Sequence, residues 1–442
     1  MRSPEKPWRW LVVKEWRELV VSKSWWIMLL LSGPLVGVSF ISAVRIYAEA
    51  SGLGGTSIGV GQAFSPLVGV WAPTFSAYEI VAVFLLPFVT IRMISGDRQS
   101  GASKLEQQAP VSVFLRVAIK ALILLAGWLI VSVPGAIAIV LWLSYGGHAY
   151  WPEVIAVVLG HFLNAGLTVA LAAAAASVTE HPSTAAIATL AFTVGTWVLA
   201  FVAAVQGAFW EKLAGYTPPA LVADFQHGLI QMDVVLVAVI LVVAGLAVAA
   251  VWMRTGLTVR RRSSQSLVVA AIVIAAAATS TFVRASWDAS ENRQNSFSLT
   301  ETAALARIKT PLHIEVHLAP EDPRRSDLDR NAISKLRRVM QSLDVSYISA
   351  TSIGLFEQTS EHYGEIWYQM DGRKTMSRVT TAEGVLESIY ELANVSPMQE
   401  DTEHLFAGYP LAQPPVWAAT VFYLFWPAVV IASMLFFRRR NG

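Results

Sequence analysis

The chain has 442 residues, 55% of them hydrophobic and only 14% charged, with 16 Trp and a formal net charge of +2. Soluble globular chains carry about 25% charged residues. So little charge at a mean hydropathy of +0.51 marks a membrane protein and excludes a soluble enzyme, a disordered chain and a free nucleic-acid binder. The absence of cysteine excludes disulfides, thiolate nucleophiles, Cys-ligated zinc and Cys-anchored lipidation.

The N-terminal 24 residues contain an amphipathic stretch, residues 8–20. Trp8, Val12, Trp16, Leu19 and Val20 recur at helical spacing, and Lys14, Glu15, Arg17 and Glu18 cover another face. Such a helix lies at a membrane surface, with Trp at headgroup depth and basic groups toward lipid phosphates. A bilayer core of about 30 Å needs roughly 20 apolar residues per helix. Stretches of that kind run over Trp25–Val44, Tyr78–Ile94, Val117–Leu143, Val154–Val178, Thr184–Val205, Val234–Met253, Leu267–Val283 and Val416–Phe437. Pro34, Pro87 and Pro134 fall inside the first three, which packed membrane helices tolerate. The A-x-A triplet Ala48-Glu49-Ala50 resembles a signal-peptidase site, but the apolar run before it exceeds an h-region of about 7–15 residues, so it reads as a retained helix.

Lys and Arg placement orients the spans. Basic residues cluster before the first span (Arg2, Lys6, Arg9, Lys14, Arg17, Lys23) and around the second loop (Arg92, Arg98, Lys104, Arg116, Lys120). They recur after the sixth span (Arg254, Arg260, Arg261, Arg262) and after the eighth (Arg438, Arg439, Arg440). The opposite loops hold only Arg45 and Lys212. Both termini are expected in the cytoplasm of a bacterial inner membrane, with residues 284–415 outside it.

Ionisable groups are scarce within the spans. Lys120 is expected to snorkel to the surface, and Glu79 lies near the outer end of the second span. His161 and Asn164, one turn apart in the fourth span, are the candidates for a translocation path, with interhelical hydrogen bonding as the alternative. The run Ala170–Ala176 predicts close helix packing through small residues.

Residues 284–415 read as a small α/β domain. With 13 basic and 19 acidic residues it is ordinarily charged. Leu312, Ile314, Val316 and Leu318 alternate with His313, Glu315 and His317 as a half-buried strand. A helix over Asp327–Leu343, started by Ser326 and Asp329, precedes a strand over Asp344–Ser349. Glu365–Met370 and Lys374–Val379 form a hairpin about Asp371-Gly372. Capping boxes at Ser298…Glu301 and Thr380…Glu383 start two helices. His313, Glu315 and His317 share a strand face that could ligate zinc, but no further ligand cluster accompanies them, and a solvated face is favoured.

The loop from Ile94 to Lys120, with its core at 95–116, reads as a charged, Gly-punctuated stretch, a short helix over Ala102–Gln108 and a restart at Pro110-Val111-Ser112. It resembles the coupling segment of type-2 ABC exporter permeases at Arg98, Gly101, Leu105, Pro110, Val111, Ser112 and Lys120. It departs from that pattern at Asp97, Ala102 and Lys104. Lys14–Leu19 is similar to the elbow helix of the same family, and Tyr216–Ile230 to the segment before its sixth span. Asn295–Pro320, Tyr363–Lys374 and Thr380–Leu392 resemble the auxiliary extracytoplasmic subunit of gliding-motility-type ABC transporters.

The resemblance implies a mainly α, polytopic protein: a six-span permease (25–262) behind an elbow helix (1–24), then a seventh span (263–283), the external domain (284–415) and an eighth span with a basic tail (416–442). Arg260-Arg261-Arg262-Ser263-Ser264 would be the linker at the join. The implied function is coupling of ATP hydrolysis to substrate export. Asp97, Arg98, Gly101, Leu105 and Pro110 would contact the ATPase, and Glu15, Trp16 and Arg17 would form the elbow.

No phosphate-binding loop occurs in the chain, so it cannot cradle nucleotide in the way an ABC ATPase does, and as a permease subunit it is expected not to be an enzyme. ATP and Mg²⁺ are expected on a separate ABC ATPase subunit, and no cofactor or metal on this chain. The other implied partners are a second permease subunit, identical or not, membrane lipid and an envelope protein at the external domain, with no nucleic acid. The alternatives are a mechanotransmission or gliding-motility complex that moves no solute, and a scaffold without ATPase.

Overall fold

The computed structural model describes residues 7–53, 65–102, 106, 108, 110–206, 208–283, 285–319, 322–340, 342–348, 362–395 and 417–441. The chain divides into two compact units, one of residues 1–198, 215–285 and 408–442, the other of residues 199–214 and 286–407.

The first unit holds a surface helix, α1 (Pro7–Val21), and the helices long and apolar enough to cross a membrane. Among the described residues these number eight: Lys23–Glu49, Leu67–Gln99, Val113–Ser144, Trp151–Val178, Pro182–Leu199, Met232–Met253, Val259–Ser280 and Ala418–Arg439. Each of the eight apolar stretches read from the sequence therefore coincides with a helical span, although several differ from expectation in extent.

The second span begins at Leu67 rather than Tyr78, because the polar and small residues of its first turns are packed inside the bundle. It contains π-turns at Leu67–Trp71 and Val81–Leu85, and Pro87 enters the first turn of the helix after the second, where a missing N–H costs nothing. At 33 residues it is about 50 Å long at 1.5 Å per residue, so its ends project beyond the hydrocarbon. Pro134 likewise opens a new helix after a break at Ser132 in the third span.

The seventh helix begins at Val259, capped by the Thr258 hydroxyl, which accepts from the Arg261 amide at 3.4 Å. Arg260–Arg262, expected as a linker, are thus its first turn. Arg262 donates to the Arg254 carbonyl at 2.8 Å, closing the short turn from the sixth span.

Lipid tails are as apolar as leucine, so membrane helices associate where small residues permit close approach. Gly245 of the sixth span lies against Ala170 of the fourth, as the alanine run predicts. A second such contact joins the chain's distant ends. Gly33 and Gly37 of the first span lie under the rings of Trp426 and Phe422 in the eighth, and Trp426 Nε1 donates to the Leu29 carbonyl at 2.9 Å. The spacing Gly33-x-x-x-Gly37 makes one flat strip on the helix. The seventh span, by contrast, leaves its apolar surface almost wholly exposed within this chain.

In the second unit a four-stranded sheet runs in the order β2-β1-β3-β4, with β1 Leu312–Val316, β2 Leu343–Tyr347, β3 Ile366–Met370 and β4 Arg373–Ser377. β1 pairs parallel with β2 and antiparallel with β3. The expected hairpin is present, with Asp371 (φ 51°) and Gly372 (φ 78°) as its left-handed central residues. Leu312, Ile314 and Val316 face a core of Leu305, Leu336, Val385 and Ile389.

The Ser298–Glu301 capping box is formed in both directions. The other two helix starts differ from expectation. The helical segment expected from Asp327 begins at Pro323, because the Asp322 carboxylate takes the free amide of Arg324 at 2.9 Å. The last helix, Ala382–Ala393, is capped by Thr381 rather than Thr380.

Replacing Gly37 by Leu would drive a side chain into Phe422. It should destabilise the folded chain by about 1–3 kcal/mol, the usual cost of overpacking, read as a lower melting temperature in detergent. The double variant Gly37→Leu/Phe422→Ala should recover most of the loss, whereas additive losses would rule out this contact.

Candidate functional site: a buried charge cluster

On α1 the buried line is Leu11, Glu15 and Leu19, four residues apart, with Glu15 only 1% exposed. Of the expected apolar line, Leu19 and Val20 are buried and Val12 and Trp16 pack against the core, whereas Trp8 is exposed, as is Trp10. Glu15 is drawn inward by Lys120 of the third span, whose Nζ lies 2.6 Å from Glu15 Oε1 and is itself 1% exposed. Lys120 also pairs with Asp97, from the last turn of the second span, and lies 4.0 Å from Glu106. Lys14 completes the group, 3.1 Å from Asp97 Oδ1, 3.2 Å from Glu15 Oε1 and in contact with Glu106.

Lys120 therefore does not snorkel. Its ammonium stays inside because three carboxylates reach it there. Asp97, expected in a loop and facing an ATPase, is helical and 4% exposed. Glu15, expected on the charged face of the elbow helix, is equally inaccessible to a partner. One oxygen of Glu15, Oε2, is buried without a hydrogen bond.

Three carboxylates, of Glu15, Asp97 and Glu106, bring oxygens within 4.8 Å of one another, a spacing that suits a metal ion. Here Lys14 and Lys120 supply the opposing charge directly. Burial, the strongest influence on Glu15, pushes its carboxyl above the ordinary glutamate range despite the two lysines. Lys14 is held above the ordinary lysine range: burial opposes its charge, but Glu106, Glu15 and Asp97 outweigh it.

Arg98 sits next to Asp97 but turns the other way. Its Nη1 donates to the carbonyls of Ala176 (2.9 Å), Ser177 (3.2 Å) and Thr179 (3.0 Å), the unpaired C-terminal end of the fourth span. The arginine thus fastens the ends of the second and fourth spans together. Gly101 follows in a left-handed turn (φ 77°), and Ser112 caps the third span by accepting from Leu115 N at 3.2 Å. Pro110 and Arg17 are exposed, whereas Leu105 and Lys104 lie outside the described residues.

His161 and Asn164 are buried in the fourth span. The His161 ring stacks on Phe75, with centroids 6.0 Å apart, and its Nε2 lies 3.5 Å from Gln226 Nε2. Gln226 also donates to Glu79 Oε1 at 2.9 Å. Glu79, Gln226 and His161 thus form a polar bridge between the second span, the helix Pro218–Gln226 and the fourth span. Gln226 was not singled out from sequence, since a lone Gln near a loop carries no signal of its own.

In the second unit His313 Nδ1 lies 2.9 Å from Asp344 Oδ2, and its Nε2 is 3.4 Å from both Glu315 Oε1 and Ser346 Oγ. These contacts tie β1 to β2. The ring of His317 lies against His362 instead, with centroids 6.1 Å apart, so the three candidate ligands do not converge. Among the described residues the only group with metal-ligand spacing is the one around Lys120.

The chain is a polytopic α-helical membrane protein with small sheets. No protein-family model, curated protein or solved structure matches it.

Lys120→Met should cost about 3–5 kcal/mol, because it strands buried carboxylates. The triple variant Lys120→Met/Glu15→Gln/Asp97→Asn should regain most of that, measured by thermal unfolding in detergent. The Glu15 carboxyl also sets a pH dependence. A group whose pKa is raised on folding contributes fully below its unfolded value, near 4.5, and loses that contribution as pH rises through the folded value. Melting temperature should therefore fall with rising pH above about 4.5, and Glu15→Gln should flatten that slope.

Proposed function

We propose that this chain is the permease subunit of an ATP-driven ABC exporter, working as a dimer of membrane subunits with two separate ATPase subunits. The reading rests on the resemblance of the elbow and coupling segments. The observation that carries it is the lysine–carboxylate cluster, which locks α1, the end of the second span and the start of the third into one block. A push on the loop after Gly101 would be transmitted through that block, and through Arg98 to the fourth span, without being lost to bending. In this reading the cluster faces the cytoplasm, and ATP and Mg²⁺ are bound by the ATPase alone.

Glu15 and Asp97 then act as positioning residues inside the block. The surface offered to the ATPase is carried by Gly101, Pro110 and the loop between them. The Glu79–Gln226–His161 bridge is the candidate gate in the path. The external domain would capture substrate or touch an envelope partner.

Affinity purification of the full chain from native membranes should recover an ABC ATPase in stoichiometric amount. Its absence would sink the proposal and leave a scaffold. Pro110→Glu, at an exposed position of that loop, should shed the ATPase while the chain still folds, with a melting temperature lowered by no more than a few degrees. A variant that keeps the ATPase would exclude the second loop as the coupling segment.

A further inference from the structure

Between α1 and the second span lies an open groove of about 380 Å³, within the range of about 300–1,000 Å³ usual for small-ligand sites. Arg17 and Arg92 line it, both exposed, and among the described residues neither has a carboxylate within ion-pair distance. Two carboxylates also border the groove, but Lys14 engages both, Glu18 at 3.1 Å and Asp97 at 3.1 Å. Ser22, at the break between α1 and the first span, completes the lining. It is 6% exposed, and its hydroxyl is buried without a hydrogen-bond partner.

Two unpaired guanidinium groups and an unused hydroxyl are the donor set of a phosphate site. The surroundings point to a lipid phosphate. Val21 and Met93 supply apolar lining. Phe88, one turn before Arg92 on the second span, is 46% exposed, and Ile27 of the first span is 53% exposed. On α1 the exposed Trp8 and Trp10 suit headgroup depth. A phosphate held by the arginines would leave its acyl chains beside apolar helix surface rather than in water.

We propose that this groove binds the phosphodiester headgroup of an anionic phospholipid, with Arg17 and Arg92 as the charge-assisted donors and Ser22 Oγ as the third. The bound lipid pins the surface helix to the end of the second span. The site depends on the chain being a membrane protein but not on its being a permease.

The test uses the full chain, delipidated in a neutral detergent. Phosphatidylglycerol, phosphatidylcholine and inorganic phosphate are added separately, and thermal unfolding and native mass spectrometry are read. Phosphatidylglycerol should raise the melting temperature by several degrees and be retained at one molecule per chain, with phosphatidylcholine at least tenfold weaker. Arg17→Gln/Arg92→Gln should weaken phosphatidylglycerol by about tenfold or more, the scale of losing a charge-assisted bond. Arg260→Gln/Arg261→Gln should leave it unchanged. Equal binding of the two lipids, or full retention by the Arg17/Arg92 variant, overturns the proposal. An equal stabilisation by inorganic phosphate overturns the lipid assignment. Should the double variant fail to fold, Ser22→Ala and the two-lipid comparison on the unaltered chain decide the matter.

Discussion

Charges removed from water must find one another, and the end of the bundle beside α1 is built on that constraint. Lys120 could remain buried only by gathering carboxylates, and it gathers them from three separate stretches of chain: Glu15 on the surface helix, Asp97 on the second span and Glu106 beyond it. Breaking such a set by removing one partner costs far more than its assembly contributes. The set therefore fixes the position of α1 more than it adds to stability. The face that α1 turns inward and the burial of Asp97 both follow from it. Arg98 extends the same logic to the fourth span by meeting unpaired carbonyls with a guanidinium.

Further along the helices the controlling quantity changes from charge to volume. The bundle is closed by close approach at small residues, Gly245 on Ala170 and the Gly33–Gly37 strip beneath Trp426 and Phe422. The last helix is thereby returned to the first, across nearly the whole sequence. The seventh helix meets the sixth through Trp252 Nε1 donating to Ser266 Oγ at 3.0 Å and through the Arg262–Arg254 turn. Most of its apolar surface is free to meet lipid or another protein.

Local features were the ones readable in advance. The eight apolar stretches, the Ser298–Glu301 box, the Asp371-Gly372 turn and the alternation along β1 each depend on residues a few positions apart. Errors arose where a local signal had a close competitor. Asp322 displaced Ser326 as a helix start, and Thr381 displaced Thr380, because a carboxylate or hydroxyl one turn or one residue away met the free amides better. The seventh helix began early because Arg260–Arg262, though basic, have good helix propensity and a Thr258 cap.

The sequence by itself determined that this is a multi-pass membrane chain with a soluble-like insertion, because hydropathy and helix length are sums over neighbouring residues. It also marked Asp97, Arg98 and Lys120 as unusual, since charge at the edge of an apolar run stands out. Only the tertiary structure decided what those charges do. Whether a lysine snorkels or stays buried depends on which carboxylates arrive beside it, and Glu15 lies 105 positions away in the chain. Nothing in the spacing of α1 distinguishes a glutamate that faces water from one that faces Lys120. That choice is made by the free energy of pairing buried charges, a property of the assembled bundle.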